Sequence, residues 1–345
     1  MFRSAAMLNV ANARLRKLSP CLTTFAAFRV QISVVLKNQE GEFMIVYREL
    51  KSVEIDLGFS AKTLYGLSNN INKHYHSAFI PKSDGTKRKL SVPDLILKMV
   101  QRAIANNILA YYPVSKYAMA YAVGTTVQKN AMPHVGKKKI LKLDIEGFFD
   151  NIIYSRVKDV VFYKEKFSEP IRILLSMLCY YRDSLPQGAP TSPAITNIIM
   201  YDFDEKIGGF CEQRGISFTR YCDDMTFSGD FDEKEIIELV KKELKKLGLF
   251  LKNRKTTVIP NTKRQIVTGI VVNEKINITK EYKKKIRQEM YYIKKFGLDE
   301  HLKKVGEIDK QKYLDSIKGR IAFVLQTVKN DEEFLRYKYI IAKER

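Results

Sequence analysis

Apolar and polar positions alternate through Phe218–Gly229, FTRYCDDMTFSG, on both sides of a polar centre. That is the pattern of a β-hairpin, with Asp223 and Asp224 at its tip. A shorter apolar run, Lys139–Asp150 (KILKLDIEGFFD), reads as a strand that ends at Asp144. Helical spacing governs much of the rest. Leu64, Leu67 and Ile71 follow a plausible N-cap at Ser60, and Leu97, Val100, Ile104 and Ile108 mark an amphipathic helix over Leu95–Leu109. Between them, Ser83-Asp84-Gly85-Thr86 reads as a turn joining two short strands. Residues 155–183 are helical in pattern, and Ser192-Pro193 starts a helix that buries Ile195, Ile198 and Ile199. Ile236, Val240, Leu244 and Leu247 form one face over Asp232–Gly248, closed by a glycine. Beyond Ile270 about seventy-five residues keep a helical period, dense in Lys and Tyr. A bundle of three helices is expected there, with Ser316–Leu325 as its apolar element.

Composition narrows the partners. The 345 residues are 45% hydrophobic, enough for two or three subdomains with cores, and the formal net charge is +22. Such a surplus suits a membrane surface or nucleic acid. No apolar run approaches the ~20 residues that span a bilayer. The basic residues are spread along the chain among Tyr and Phe, which favours a phosphate-lined groove with aromatic stacking platforms. Cys21, Cys179, Cys211 and Cys222 lack metal-ligand or disulfide-framework spacing, so the chain reads as intracellular. Residues 1–39 hold no acidic side chain before Glu40 and resemble a transit peptide or a basic arm; an early start codon ahead of Met44 is the alternative.

The two strand tips carry the candidate chemistry. Asp is a common turn residue, because its carboxylate bonds nearby amides. Brought together, however, Asp144, Asp223 and Asp224 would form a repulsive group of three carboxylates with a raised pKa. Two divalent cations about 3.5–4 Å apart would resolve that repulsion, and such a pair drives phosphoryl transfer on nucleic acids.

Tyr221-Cys222-Asp223-Asp224 resembles the YxDD signature of reverse transcriptases, and Asp144 resembles that family's first metal-binding aspartate. Four further blocks are similar and in order: Ile80–Pro93, Leu185–Asn197, the lysine-bearing Asn253–Val258, and a strand pair from Ile266. Asn130-Ala131-Met132-Pro133-His134 and Val267-Thr268-Gly269 resemble the two markers of the retron subfamily.

The resemblance implies a right-hand polymerase of α+β class: fingers over 46–130, a palm with an antiparallel sheet over 131–275 (fingers insertion at 155–185), and a helical thumb over 276–345. Residues 1–45 form a basic extension of unknown role. Asp144, Asp223 and Asp224, with the Ile145 carbonyl, would hold two Mg²⁺ ions, Mn²⁺ being a substitute. Lys255, expected on a strand, would protonate the leaving pyrophosphate. Arg88 and Lys82 would bind the triphosphate, Gln187 and Gly188 would contact the nucleotide, and Phe149 would exclude a ribose 2′-hydroxyl while Phe148 packs. Asn130, His134, Val267, Thr268, Gly269 and the thumb's Lys284 would contact RNA; His134, on its residue chemistry alone, is a structural hydrogen-bonder. His74 and His76 are expected to be solvated or RNA-facing. The implied function is synthesis of branched RNA-linked DNA in a bacterial cytoplasm, from a cognate noncoding RNA and dNTPs, primed by a guanosine 2′-hydroxyl. A separate effector protein, a host RNase H and a role in antiphage defence are implied too, with no membrane partner and no room in the chain for an RNase H domain. Two other readings share the motifs: another bacterial reverse transcriptase, such as that of a group II intron, and a non-catalytic RNA-binding polymerase fold.

Overall fold

Apolar runs and caps become elements much where the pattern places them. The computed structural model describes residues 34–37, 43–81 and 85–344; most of the basic extension and Lys82 lie outside them. In chain order, β1 (Val34–Lys37) pairs antiparallel with β2 (Phe43–Val46) and is followed by α1 (Leu50–Leu57) and α2 (Ala61–Asn69). Ser60 caps α2, its hydroxyl accepting the Thr63 amide at 3.2 Å. β3 (Tyr75–Pro81) and β4 (Lys87–Pro93) form an antiparallel hairpin, and α3 spans Leu95–Asn107. Asp94 begins α3 by accepting the Leu97 amide at 2.9 Å. Its other oxygen meets His74 Nδ1 at 2.7 Å, so His74 is tied to a helix cap rather than presented to solvent or RNA.

The middle of the chain holds α4 (Val127–Ala131), β5 (Lys139–Asp144), α5 (Glu169–Cys179), α6 (Ser192–Ile199), α7 (Tyr201–Glu212), β6 (Ser217–Tyr221), β7 (Asp224–Gly229) and α8 (Glu233–Lys246). After β8 (Thr257–Pro260) come three two-residue strands, β9 (Ile266–Val267), β10 (Ile270–Val271) and β11 (Asn277–Ile278). Four helices end the chain: α9 (Lys280–Phe296), α10 (Leu298–Val305), α11 (Lys310–Thr327) and α12 (Glu332–Lys343). Three were expected. Gly297 (φ +83°) and Gly306 (φ +70°) interrupt what reads as one continuous period, cutting off α10 as a helix of its own. Among the described residues, no helix is long and apolar enough to cross a membrane.

The chain divides into two compact units. One takes residues up to Ser115, Glu146–Asp202 and Lys246–Leu249; the other takes Lys116–Ile145, Phe203–Lys245 and Phe250 onward. In the first, Leu64, Leu97, Val100, Ile104, Leu175 and Leu178 are buried to 0% exposure and make the core. Gln101, also buried, ties α3 to α5 by donating to the Leu178 carbonyl at 2.8 Å.

The second unit carries a four-stranded antiparallel sheet in the order β6-β7-β5-β8. Its central strand β5 buries Ile140, Leu141 and Leu143 on both faces, which explains its unbroken apolar run. Helix α7 lies close to the segment that edges β6. A Cβ on Gly208 would stand 2.0 Å from a Tyr117 ring atom, and that ring packs on Phe218 at 5.6 Å. Gly208→Ala is therefore expected to destabilise the protein by about 1–3 kcal/mol, the usual range for overpacking, as a lower urea midpoint. The C-terminal helices share one core with β9–β11: Val267, Ile270 and Ile278 pack with Ile286, Met290, Ile317, Ile321 and Phe334.

Candidate active site

The hairpin tip is a two-residue turn. Tyr221 pairs with Asp224, leaving Cys222 and Asp223 between the strands. Cys222 has φ +61°, the sign required at the first central residue of a type II′ turn and one a side chain adopts only at a cost. On the other flank of β7, β5 runs in a register that sets Asp144 opposite Asp224. The Ile145 amide donates to the Asp223 carbonyl at 3.1 Å, and the Asp144 carbonyl accepts the Lys252 amide at 2.8 Å. The chain thus brings all three expected carboxylates to one end of one sheet. Lys255 joins them, but from a single 3₁₀ turn, Asn253–Lys255, rather than from a strand. That turn just precedes β8 and lets Lys255 Nζ reach Asp144 Oδ2 at 2.5 Å.

The electrostatics follow from this crowding. Partial burial, then the Asp223 and Asp144 charges, push the Asp224 carboxyl up to about 6. The bond to Asp144 raises Lys255, holding it protonated. Burial lowers Lys142, two residues before Asp144, while the Asp224 carboxylate opposes that shift; sequence reading did not single this lysine out. Among the described residues, no three His, Cys, Asp or Glu side chains converge at ligating geometry. Lys255 supplies the counter-charge to Asp144 instead. The donors nonetheless fit a divalent cation by chemistry: they are hard oxygens, and their mutual repulsion is what a cation relieves.

The family profile described as reverse transcriptase (RNA-dependent DNA polymerase) matches residues 80–287. The retron Ec86 reverse transcriptase of Escherichia coli is 30% identical over 243 residues, covering 68% of this chain and 74% of its own. The chain belongs to the retron-type reverse transcriptases. The retron Mx65 reverse transcriptase of Myxococcus xanthus is 29% identical over 266 residues. That match covers 70% of this chain but 62% of the Mx65 enzyme, so this chain spans less than two thirds of that relative. A solved telomerase from Candida albicans aligns over 77% of this chain and 59% of its own, at 14% identity and a TM-score of 0.42, too distant to bear on the fold.

In this retron-type reverse transcriptase each subfamily marker has buried members, Asn130, Ala131 and His134 in one and Val267 in the other. His134 is wholly buried, its ring nitrogens bonded to Ser228 Oγ at 2.7 Å and Thr219 Oγ1 at 2.8 Å. The expectation that His134 faces RNA is corrected: it crosslinks β6 and β7 from below. Asn130 is buried as well, and its Nδ2 donates to Thr268 Oγ1 at 3.2 Å, joining one marker to the other. Val267 lies in the core shared with the C-terminal helices, so neither Asn130 nor Val267 offers a side chain to RNA. Thr268 (φ +44°) and Gly269 (φ +84°) form the two-residue turn between β9 and β10, where positive φ at both positions is the type I′ pattern. Of the expected RNA contacts, Gly269 and Lys284 are exposed and Thr268 is half-buried.

The nucleotide-binding candidates lie in the other unit. Arg88 is exposed on β4, opposite Ile80. The Gln187 carbonyl accepts the Ser91 amide at 2.9 Å, and a Cβ on Gly188 (φ +127°) would fall 2.8 Å from the Ser91 carbonyl oxygen. Only glycine lets the loop lie on β4 there. The Phe149 carbonyl accepts the Leu185 amide at 3.1 Å, fixing Phe149 to the same loop. Phe148 is buried and Phe149 half-buried, their rings edge-to-face at 5.6 Å.

Proposed function

We propose that this chain copies a structured noncoding RNA of its own into DNA, starting from a guanosine 2′-hydroxyl of that RNA to give a branched RNA–DNA product. The observation that carries the reading is the register of Asp144 against Asp224, with Asp223 in the turn beside them and Lys255 on Asp144. Membership of the retron-type reverse transcriptases supports the choice of template and primer.

Asp144, Asp223 and Asp224 would hold two divalent cations, Mg²⁺ by preference, with the Ile145 carbonyl as a further ligand. Bound there, the cations supply activation of the attacking hydroxyl and charge neutralisation at the triphosphate. Lys255, kept protonated by its carboxylate neighbour, would donate a proton to the departing pyrophosphate. Arg88 would bind the triphosphate of the incoming dNTP, and Gln187 and Gly188 would contact the nucleotide. Phe149 discriminates the sugar. Phe149→Ala is expected to keep dNTP use and raise ribonucleotide incorporation by about tenfold, the scale of a lost steric contact. The rNTP/dNTP ratio of incorporation measures it, and an unchanged ratio assigns Phe149 to packing.

Nucleic acid copurifying with the protein tests the whole reading. Sequencing is expected to recover a short RNA joined to DNA through a 2′–5′ bond. A separate effector protein restrained by that product, in antiphage defence, and a host RNase H that trims the RNA complete the proposal. Protein carrying only unbranched or random nucleic acid would withdraw it.

A further inference from the structure

Directly beneath the candidate catalytic turn lies an ion pair that plays no part in the chemistry above. Arg220, on β6, and Asp204, on α7, are both at 0% exposure. Two guanidinium nitrogens of Arg220 grip both carboxylate oxygens of Asp204, Nε to Oδ1 at 2.7 Å and Nη2 to Oδ2 at 2.6 Å. The third, Nη1, donates to the Cys222 carbonyl at 3.0 Å. The main chain of Arg220 is pinned too: its amide donates to the Tyr117 carbonyl at 2.8 Å and its carbonyl accepts the Met119 amide at 2.7 Å. Cys222 is the residue at φ +61°, and its carbonyl carbon is bonded to the nitrogen of Asp223. On its other side, the Tyr121 hydroxyl approaches Cys222 Sγ at 3.6 Å.

We propose that the buried Asp204–Arg220 pair is a positioning device for the catalytic turn, holding the Cys222 peptide in the orientation that aims Asp223 and Asp224. The chemistry of the two residues suits the task. A guanidinium has donors in a rigid plane, so a carboxylate can fix one edge while another donor reaches a separate acceptor. An ammonium in the same place satisfies the carboxylate as a point charge and leaves the carbonyl without its fixed donor. An apolar core would fill the space beneath the sheet at least as well as a buried ion pair, so packing alone does not call for these residues. A side chain at positive φ needs an external restraint that glycine would not. Here the restraint is the carbonyl bond, since the left-handed residue and the held carbonyl belong to the same amino acid.

The inference rests on the polymerase reading for its kinetic test, and a structural readout stands apart from it. Three proteins are compared with the parent in extending a DNA primer on a generic RNA template: Arg220→Lys, Arg220→Lys with Cys222→Gly, and the apolar pair Asp204→Leu/Arg220→Met. Hydrogen exchange of the peptide spanning the turn is followed in each. Arg220→Lys is expected to lower kcat about thirtyfold with KM for primer–template within twofold, since the buried Arg220 offers no surface to primer–template. Adding Cys222→Gly should return kcat to within about threefold of the parent, because the turn no longer needs restraint. The apolar pair should fold, lose kcat similarly, and exchange the turn amides at least tenfold faster while β5 stays protected. A parent that does not extend primers at all sinks the polymerase reading and leaves the exchange measurement to decide the inference. Parent-like kcat in a folded apolar pair, no rescue by Cys222→Gly, or unchanged turn exchange would each overturn it.

Discussion

Asp223→Asn and Asp224→Asn proteins are expected to fold as the parent does and to lose DNA synthesis by roughly a thousandfold or more, the scale of removing a charged group that acts on the transition state. Each substitution removes a charge while changing little volume, and both side chains stand at the solvent end of the sheet, half-buried or exposed. The stability change has the opposite sign to the activity change. The Asp224 carboxyl titrates at about 6 in the folded protein against 3.8 ordinarily. Between those values the folded state takes up the proton more readily than the unfolded chain, so stability is lost as pH rises through 6. Above that pH, with divalent cations chelated, the cluster carries repulsion that Lys255 offsets only in part. Asp224→Asn removes it and is expected to raise stability at pH 8 by about 1 kcal/mol, discounted for the side chain's exposure. Saturating Mg²⁺ should narrow the gap by stabilising the parent alone. Primer extension and thermal melts with and without EDTA check both halves. Synthesis within tenfold of the parent would remove Asp223 and Asp224 from the catalytic role.

His134→Ala is expected to damage the fold itself. The substitution strips partners from the buried hydroxyls of Thr219 and Ser228 and leaves a cavity beneath the sheet, a combined cost of about 3–4 kcal/mol. Against a typical stability of about 5–15 kcal/mol that is severe. Because β6 and β7 carry the candidate catalytic turn, self-primed and primer-extended synthesis should fall together. A selective loss of the self-primed reaction would instead restore His134 as a recognition residue. The protein's pH dependence gives a second check. Burial, helped by Lys137 and Lys142, pushes His134 down to about 3 against an ordinary 6.5. The unfolded chain therefore binds the extra proton first, and stability falls as pH drops from 6.5 toward 3. His134→Gln keeps hydrogen bonding without the titration, so its stability should decline less over that window in urea denaturation.

How far the site was legible differs by residue, for physical reasons. Asp144 and the Asp223–Asp224 pair announce themselves because strand alternation places them at tips, where a turn or a strand end is readable from local sequence. Lys255 is legible through resemblance, whereas the element that carries it is not. NRKTTV reads as one strand, while the chain forms a 3₁₀ turn before β8 begins at Thr257. Gly188 was singled out for backbone approach, and the close Ser91 carbonyl shows what is approached within its own unit. Asn130, His134 and Thr268 were expected at an RNA surface. Their side-chain hydrogen bonds run across 85 to 141 positions of sequence, beyond any local pattern. The split of the C-terminal bundle into four helices is not legible, since Leu298, Leu302 and Val305 keep a helical period between Gly297 and Gly306.

Arg220 shows the same limit most sharply. In sequence it is an unremarked basic residue two positions before Cys222, one of 60 Lys and Arg in the chain. Nothing local separates it from the solvated majority, because its partner Asp204 lies on a different element, 16 residues away. By itself, then, the sequence determined the hairpin, the strand ending at Asp144, most helix starts and stops, and the polymerase class. All of these are written in periodicity, caps and short motifs, which act over a few residues. Only the tertiary structure decided the register of β5 against β7, which sets Asp144 opposite Asp224, and the burial of His134, Asn130 and the Asp204–Arg220 pair. Those depend on which surfaces lose water together, and that is fixed by packing between segments far apart in the chain.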